Sequence, residues 1–342
     1  MTPRVGIRCD AGPLIGVGHV MRCLALAEEL LGRGAEVSFL GGLGGLEWIR
    51  DQLRARGLPL LPGPLSPEGL ITAARRLRLD AMVLDSYELD PHCAGALRQA
   101  GMTVLAIVDG DTRGQDADLY LDQNLGAEHS PVNLPAGTVR LAGSGFALLR
   151  DSVRALRPAG PRRPGDGVPG VLCFFGGTDT ADAAPRVIEL AAATGAPFAA
   201  TVIAARDSTA DALAAIALAP GQSVTAVAPT DRLPHLAAAA DLVVSAGGTS
   251  TWELLCLGVP AALIWVADNQ RQGYDALVSR GLAAGLGAVT GLGGDAEATL
   301  KGLLTNPAAR TDLAARGFTV VDGRGRERVA DELLSHLTPR PA

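Results

Sequence analysis

The sequence predicts an α/β protein of two domains, each a parallel sheet with helices on both faces, and three observations predict it. The chain has 342 residues, more than one hydrophobic core usually serves, so length favours two domains of roughly 150 residues each. Hydrophobic residues make up 48% of it and aromatics 4%, a balance that suits a Leu/Val/Ala interior of packed helices and sheets. Short apolar runs alternate with amphipathic ones through both halves, the signature of parallel strands joined by helical crossovers.

In the first half the apolar runs at 5–8, 36–40, 58–61, 81–84 and 103–108 read as strands. The amphipathic runs at about 19–33, 46–56, 67–77 and 91–100 read as the intervening helices. Between Arg157 and Gly170 the text becomes RPAGPRRPGDGVPG, where closely spaced prolines and glycines cannot continue a helix or a central strand. The expected organisation is therefore an N-terminal domain over 1–157, a linker over 158–170 and a C-terminal domain over 171–342, with the last helix free to pack back on the first domain. In the second half strands are expected at 171–175, 198–203, 223–227, 242–245 and 261–265. Helices are expected near 181–193, 209–217, 233–240, 250–257 and 270–280, and a last one at about 324–337.

Composition excludes several classes. The formal net charge is −6 with basic residues scattered, so nothing resembles the cationic stripe of a nucleic-acid binder. Cys9, Cys23, Cys93, Cys173 and Cys256 are widely spaced in apolar runs without CxxC pairs and read as buried free thiols of a reducing compartment. The N-terminal MTPRVGIRCD enters a strand directly and no run is long enough to span a bilayer, so no stable membrane insertion and a cytoplasmic location are expected. Oligomeric state is not written in the sequence; a monomer is compatible with it.

The candidate chemistry sits where strands hand over to helices. Gly16-Val17-Gly18-His19-Val20-Met21-Arg22 joins a glycine turn to a helix start, where free N–H groups meet an anion and the backbone approaches a ligand closely. His19 there is placed for proton transfer, or else caps a plain glycine turn. This segment is neither a G-x-G-x-x-G fingerprint nor a P-loop with its lysine, so no dinucleotide or other cofactor is expected. At successive strand ends stand Asp85-Ser86-Tyr87 with Asp90 after it, Asp109-Gly110-Asp111, and, two strands later, Asp122-Gln123-Asn124. Such positions converge on one rim of a parallel sheet, although Ser86 and Asp111 serve equally as caps or turn residues.

The second half carries two glycine turns, Phe175-Gly176-Gly177-Thr178-Asp179 and Ser245-Ala246-Gly247-Gly248-Thr249-Ser250, the latter followed by Glu253. Paired glycine turns with interleaved hydroxyls suit a diphosphate. Glu253, one helical turn in, accepts from ribose hydroxyls or simply complements the helix dipole. Asp268-Asn269-Gln270 forms a further polar strand end.

Taken together, RCDAGPLIGVGHVMRCLALAEEL, VLDSYELD, VDGD, LDQN, FFGGTD, SAGGTSTWELLCLGVP, DNQ and VDGRGRERV resemble the UDP-sugar hydrolases of pseudaminic acid biosynthesis. That family is grouped with the spore-coat polysaccharide protein SpsG and, more distantly, with the MurG glycosyltransferase. The resemblance runs over nearly the whole chain. It implies a GT-B-like fold, two Rossmann-like domains facing each other across a cleft, with the nucleotide held by the C-terminal domain and the sugar by the N-terminal one. It makes His19 the catalytic base and Tyr87 a residue of the sugar site. Asn269, with Gln270, falls near the substrate, and Glu253 on the ribose. Gly16, Gly18, Arg22, Asp85, Asp90 and Asp109 complete the expected substrate face. Gly176, Gly177, Thr178, Gly247, Gly248, Thr249 and Ser250 complete the expected nucleotide site. One departure is the loop Gly247-Gly248-Thr249-Ser250, richer in glycine than in the hydrolases and closer to the MurG-like transferases.

The implied reaction is attack of a His19-activated water on the anomeric carbon of a UDP-linked acetamido-deoxy sugar, releasing UDP with inversion and without a metal. An inverting glycosyltransferase of the same fold, and a nucleotide-sugar-binding protein without catalysis, are the alternatives.

Overall fold

The computed structural model describes residues 2–337 other than 13, 14, 164, 166, 178 and 180. The chain divides into two compact units, one of Met1–Asp151 with Gly323–Ala342 and one of Ser152–Asp322.

In the first unit β1 (Arg4–Cys9), α1 (Gly18–Gly32), β2 (Glu36–Leu40), α2 (Glu47–Ala55), β3 (Leu60–Leu61), α3 (Pro67–Leu77) and β4 (Ala81–Asp85) alternate as the hydrophobic pattern requires. They are followed by α4 (Cys93–Gln99), β5 (Thr103–Ile107), β6 (Leu119–Asp122) and β7 (Val139–Ala142); the short α5 (Asp151–Arg154) starts on the last residue of this stretch and otherwise belongs to the second unit. The seven strands form one parallel sheet in the order β3-β2-β1-β4-β5-β6-β7. Its central strands are buried on both sides, which is why they read as unbroken apolar runs rather than alternating ones. Where a helix must start sharply, local chemistry supplies the stop: Ser66 accepts from Gly69 N–H at 3.2 Å ahead of Pro67 at the start of α3.

The second unit repeats the plan with β8 (Gly170–Phe174), α6 (Ala183–Ala193), β9 (Phe198–Ile203), α7 (Asp207–Ala214), β10 (Gln222–Val227), α8 (Leu233–Ala239) and β11 (Leu242–Ala246). It continues with α9 (Ser250–Leu257), β12 (Ala261–Trp265), α10 (Asp268–Ser279), β13 (Ala284–Ala288), α11 (Gly294–Thr305) and α12 (Pro307–Phe318). Its six parallel strands run β10-β9-β8-β11-β12-β13. The final α13 (Gly325–Ser335) belongs to the first unit. There Val329, Ala330 and Leu333 join the core beneath α1, and Arg326 bonds Glu28 at 3.0 Å.

The proline- and glycine-rich stretch around Arg157–Gly170 lies along the second unit. Arg157 donates to the carbonyls of Cys256 and Val321 at 2.6 and 2.7 Å, and Arg162 donates to that of Ala239 at 2.6 Å. Six elements had no bounds in the sequence reading: β6, β7, α5, β13, α11 and α12. β13 is Ala-Gly-Leu-Gly-Ala, whose glycines hide a strand that its packing enforces.

Candidate active site

In each unit the strand order reverses once, between β1 and β4 and between β8 and β11. Such a reversal opens a crevice at the carboxyl ends of the two strands, where sheets of this kind bind ligands. The loops that flank these crevices carry the glycine turns and acidic strand ends singled out in the sequence.

After β1, Gly12 and Gly16 exchange two backbone bonds of 3.1 and 2.8 Å, and Gly16 takes φ +82°, which is open to glycine without a Cβ clash. This closed turn delivers the chain into α1, with His19 in its first turn. His19 Nδ1 lies 2.6 Å from Oδ1 of Asp85, the fully buried last residue of β4. Arg22, one helical turn beyond His19, grips the same carboxylate in a fork, Nε to Oδ2 at 2.7 Å and Nη2 to Oδ1 at 2.6 Å. The Cys23 thiol adds a contact to Oδ2 at 3.4 Å.

Burial alone pushes the Asp85 carboxyl up, but the Arg22 guanidinium and His19 more than reverse this and hold it well below the usual carboxylate range. Arg22, although buried, is correspondingly held cationic by Asp85 and Asp109. A carboxylate only accepts, so Nδ1 of His19 carries the hydrogen toward Asp85, and Nε2 is the nitrogen at which the ring exchanges a proton. The 3.3 Å approach of Arg22 Nη2 to Nδ1 is then a contact of two donors sharing one oxygen, not a bond between them.

A second arm leaves the same arginine. Arg22 Nη1 reaches Asp109 Oδ1, after β5, at 3.3 Å, and the Tyr87 hydroxyl donates to Asp109 Oδ2. Asn124 Nδ2 donates to Asp109 Oδ1 at 3.1 Å and to Asp122 Oδ1 at 2.8 Å. Burial raises the Asp109 carboxyl, but Arg22 and the Tyr87 hydroxyl outweigh it and the group sits below its ordinary range. The Asp122 carboxyl, by contrast, is pushed up, because its burial exceeds what its hydrogen bonds return. The rings of His19 and Tyr87 meet edge to face with centroids 4.9 Å apart, and Arg113 lies 4.8 Å over the Tyr87 ring. His19, Arg22 and Asp85 are buried, whereas Tyr87 is 49% exposed.

The structure therefore brings His19, Arg22, Asp85, Tyr87 and Asp109 into one network, together with Asn124. Asp85 faces no solvent and orients His19. Asp90 stands apart: it is exposed, and its side chain accepts from His92 N–H at 2.8 Å where the chain turns into α4. Asp111 serves its own turn by accepting from Arg113 N–H at 2.9 Å. Arg8 and Asp10 were not singled out in the sequence. Arg8, 1% exposed, pairs with Asp10 at 2.6 Å. Both line a recess of about 390 Å³ with Gly41, Gly42, Gly63 and the exposed Ile15 and Leu65. A Cβ at Gly63 would sit 2.6 Å from Gly41 Cα and 2.9 Å from Arg8 Cζ, so glycine is what lets the chain close over this arginine. Two charges flanking Cys9 at the end of an apolar strand were the signal available.

In the second unit the turn after β8 contains Gly176 at φ +79° and Gly177; Thr178 lies outside the described residues. Asp179, 3% exposed, accepts from the N–H groups of Ala183 and Ala184 at 2.9 and 3.0 Å, which fills the amino end of α6. Burial outweighs these bonds and raises its carboxyl. The turn after β11 differs. Among the described residues no side chain caps α9 and a Cβ at Gly248 would meet no atom within 4 Å, while Gly247 N–H is tied to the Ile264 carbonyl at 2.8 Å. Thr249 and Ser250 open α9, and Glu253 lies half-buried in its first turn. After β12, Gln270 Oε1 accepts from Val266 N–H at 3.0 Å and holds its own loop, leaving Asn269 exposed in the first turn of α10. A recess of about 610 Å³ along α6 and α7 is lined by Asp182, Arg186, Glu189, Arg206 and Ser208 and, among the described residues, by none of the glycine turns. Among the described residues no group of three or more His, Cys, Asp or Glu side chains could hold a metal ion. No helix among them is long and apolar enough to cross a membrane.

Solved structures match the chain over nearly its full length. MurG of Acinetobacter baumannii aligns with a TM-score of 0.71 at 17% identity, covering 97% of this chain and 99% of that one. The fold is GT-B. UDP-GlcNAc 2-epimerase from Neisseria meningitidis, solved bound to UDP-GlcNAc, aligns at TM-score 0.65 and 13% identity over 97% of this chain and 100% of that one. The glycosyltransferase SnogD from Streptomyces nogalater aligns at 0.62 and 18% over 99% and 100%. At these identities the likeness is one of fold. No protein-family model and no curated protein matches the sequence.

Proposed function

We propose that the chain is an enzyme that breaks the anomeric C–O bond of a UDP-linked sugar, with His19 as general base. The observation that carries this reading is the His19–Asp85 pair at 2.6 Å. A buried carboxylate, held ionised by Arg22 and His19, fixes the tautomer and leaves Nε2 as a base beside a half-exposed tyrosine. In the first reading the nucleophile is water. Nε2 takes a proton from it, the water oxygen bonds to the anomeric carbon from the face opposite the nucleotide, and the C–O electron pair leaves with the β-phosphate as UDP. A base so placed contributes ~10²–10⁴-fold, and Asp85 also stabilises the imidazolium that forms.

The leaving diphosphate is assigned to the turn after β11. α9 has no side-chain cap, whereas Asp179 already occupies the amino end of α6, so Gly248, Thr249 and Ser250 offer the better anion cradle. Glu253 is assigned to the ribose and Asn269 to the sugar side. UDP and an acetamido-deoxy sugar follow from the resemblance of the motifs to the pseudaminic acid hydrolases, as does water as acceptor.

One observation favours a second reading, transfer to an organic acceptor. The recess around Arg8 and Asp10, rimmed by Ile15 and Leu65, adjoins Ser86, whose hydroxyl reaches Asp10 Oδ2 at 3.4 Å, and it offers more room than water needs. Several proteins of like fold also bear glycosyltransferase names. The deciding experiment is UDP and free-sugar release from a panel of UDP-sugars without added acceptor, with His19→Asn in parallel. Release that disappears in the variant supports the hydrolase. UDP-sugar binding with turnover only on addition of alcohols or amines supports the transferase, and a folded His19→Asn protein with full turnover rejects both.

A further inference from the structure

Asp109 decides what Tyr87 can do. A carboxylate has no hydrogen to give, so the phenol hydrogen of Tyr87 goes to Asp109 Oδ2. The carboxylate cannot turn away, because Arg22 at 3.3 Å and Asn124 at 3.1 Å hold its other oxygen. Asn124 is itself anchored on Asp122 at 2.8 Å, and Asp122 accepts from Gly110 N–H at 2.9 Å. With its hydrogen committed, the half-exposed phenol keeps only lone pairs for a ligand, as does Nε2 of the neighbouring His19.

We propose that Asp109 is a positioning residue that makes Tyr87 a hydrogen-bond acceptor only, so that Tyr87 selects a substrate carrying an N–H or O–H donor beside the reacting carbon. The identity of the ligand rests on the function proposed above; the polarity of the phenol does not. Burial and the adjacent Asp109 carboxylate also push the Tyr87 phenol above its ordinary range, the direction this arrangement demands.

Asp109→Asn is isosteric and reverses the arrangement. Arg22 and Asn124 both donate to Oδ1, so the amide must give them its oxygen and turn its NH₂ toward Tyr87. The phenol oxygen then accepts from the amide and its hydrogen is released to the ligand. In a spectrophotometric titration of phenolate absorbance, Asp109→Asn is expected to ionise one tyrosine at lower pH than the wild type, and Tyr87→Phe/Asp109→Asn to lack that step. On a UDP-sugar substrate, kcat/KM of Asp109→Asn is expected to fall roughly 10- to 100-fold, the range for misplacing one strong hydrogen bond. The double variant should be no slower than Tyr87→Phe alone, because Asp109 acts through Tyr87.

An unchanged titration in Asp109→Asn, or losses that multiply in the double variant, overturns the proposal. A protein that turns over no nucleotide sugar rejects the reaction but leaves the titration to decide the phenol. Should Asp109→Asn not fold, the wild type is titrated against Tyr87→Phe: a missing step above the ordinary tyrosine range supports the proposal, and one within that range refutes it.

Discussion

Replacing Asp85 by asparagine tests the central pair most directly, because the substitution keeps shape and removes charge. In the wild type Oδ1 serves His19 and Arg22 Nη2 at 2.6 Å each, and Oδ2 serves Arg22 Nε at 2.7 Å. An amide has one acceptor atom for these three donors. If its NH₂ takes the place of Oδ2 it meets Arg22 Nε–H; if it takes the place of Oδ1, His19 must accept at Nδ1 and carry its hydrogen on Nε2, which ends its use as a base. The expected loss in kcat is ~10²–10⁴-fold, the usual contribution of a positioned base.

Stability falls as well. Removing one partner of a buried ion pair costs ~3–5 kcal/mol, and Asp109, 3.3 Å from Arg22, remains as counter-charge, which places the loss near the lower end, about 3 kcal/mol. For a unit of this size that corresponds to roughly 6–12 °C in Tm. The sign of the pH dependence is fixed by the depressed Asp85 carboxyl. Its stabilisation is fully present above the unfolded value of about 4 and is lost only as pH falls from there toward the lower folded value. Melts of wild type and Asp85→Asn should therefore keep a gap at neutral pH and begin to converge below about pH 4. UDP release measured alongside provides kcat. A folded variant with wild-type kcat, or a stability gap that closes at neutral pH, would refute the reasoning.

Two further outcomes concern the second unit. A Cβ at Gly248 meets nothing within 4 Å, so Gly248→Ala is expected to leave the melting curve in place while weakening UDP binding about tenfold, the equivalent of one charge-assisted hydrogen bond; calorimetric titration with unchanged affinity would remove this turn from the nucleotide site. At Asp179 the raised carboxyl means that ionisation is disfavoured in the fold, so its contribution declines as pH rises through the interval between the unfolded and folded values. Asp179→Asn should abolish that decline and, with one acceptor atom for the two N–H groups, keep one of the two bonds, whereas Asp179→Ala, which uncaps both Ala183 and Ala184, should melt lower still and cost about 1–2 kcal/mol; equal melts for the two variants would count against the cap.

The architecture was legible because parallel strands buried on both faces must be continuous apolar runs, and Ala81–Asp85 or Leu242–Ala246 could hardly be anything else. β7 and β13 lacked that signal, with half-buried positions and, in β13, two glycines. The site was legible residue by residue but not in its roles. Asp85 stood in the sequence as one more polar strand end, level with Asp109, and only register separates them: Asp85 pairs with Cys9 of β1 and so sits in the floor of the crevice, beneath His19. Asp179 looked like part of a phosphate turn and instead fills the end of α6. Sequence position gives the loop on which a polar group stands; whether its lone pairs face a ligand or a neighbouring N–H is decided by contacts tens of residues away.

The candidate site residues gather where the strand order of each unit reverses. In both units the first and fourth strands of the local order are neighbours, and the helices after them leave toward opposite faces of the sheet, so their loops are not covered by a crossover. In the first unit those two loops bear His19 and Tyr87, and Arg22 ties them through Asp85 and Asp109. In the second the corresponding loops bear the two glycine turns. There the acid of the first turn, Asp179, is committed to α6, while among the described residues α9 begins without a side-chain cap. Under the function proposed above, the fixed tautomer of His19 and the start of α9 each follow from the strand order of its own unit.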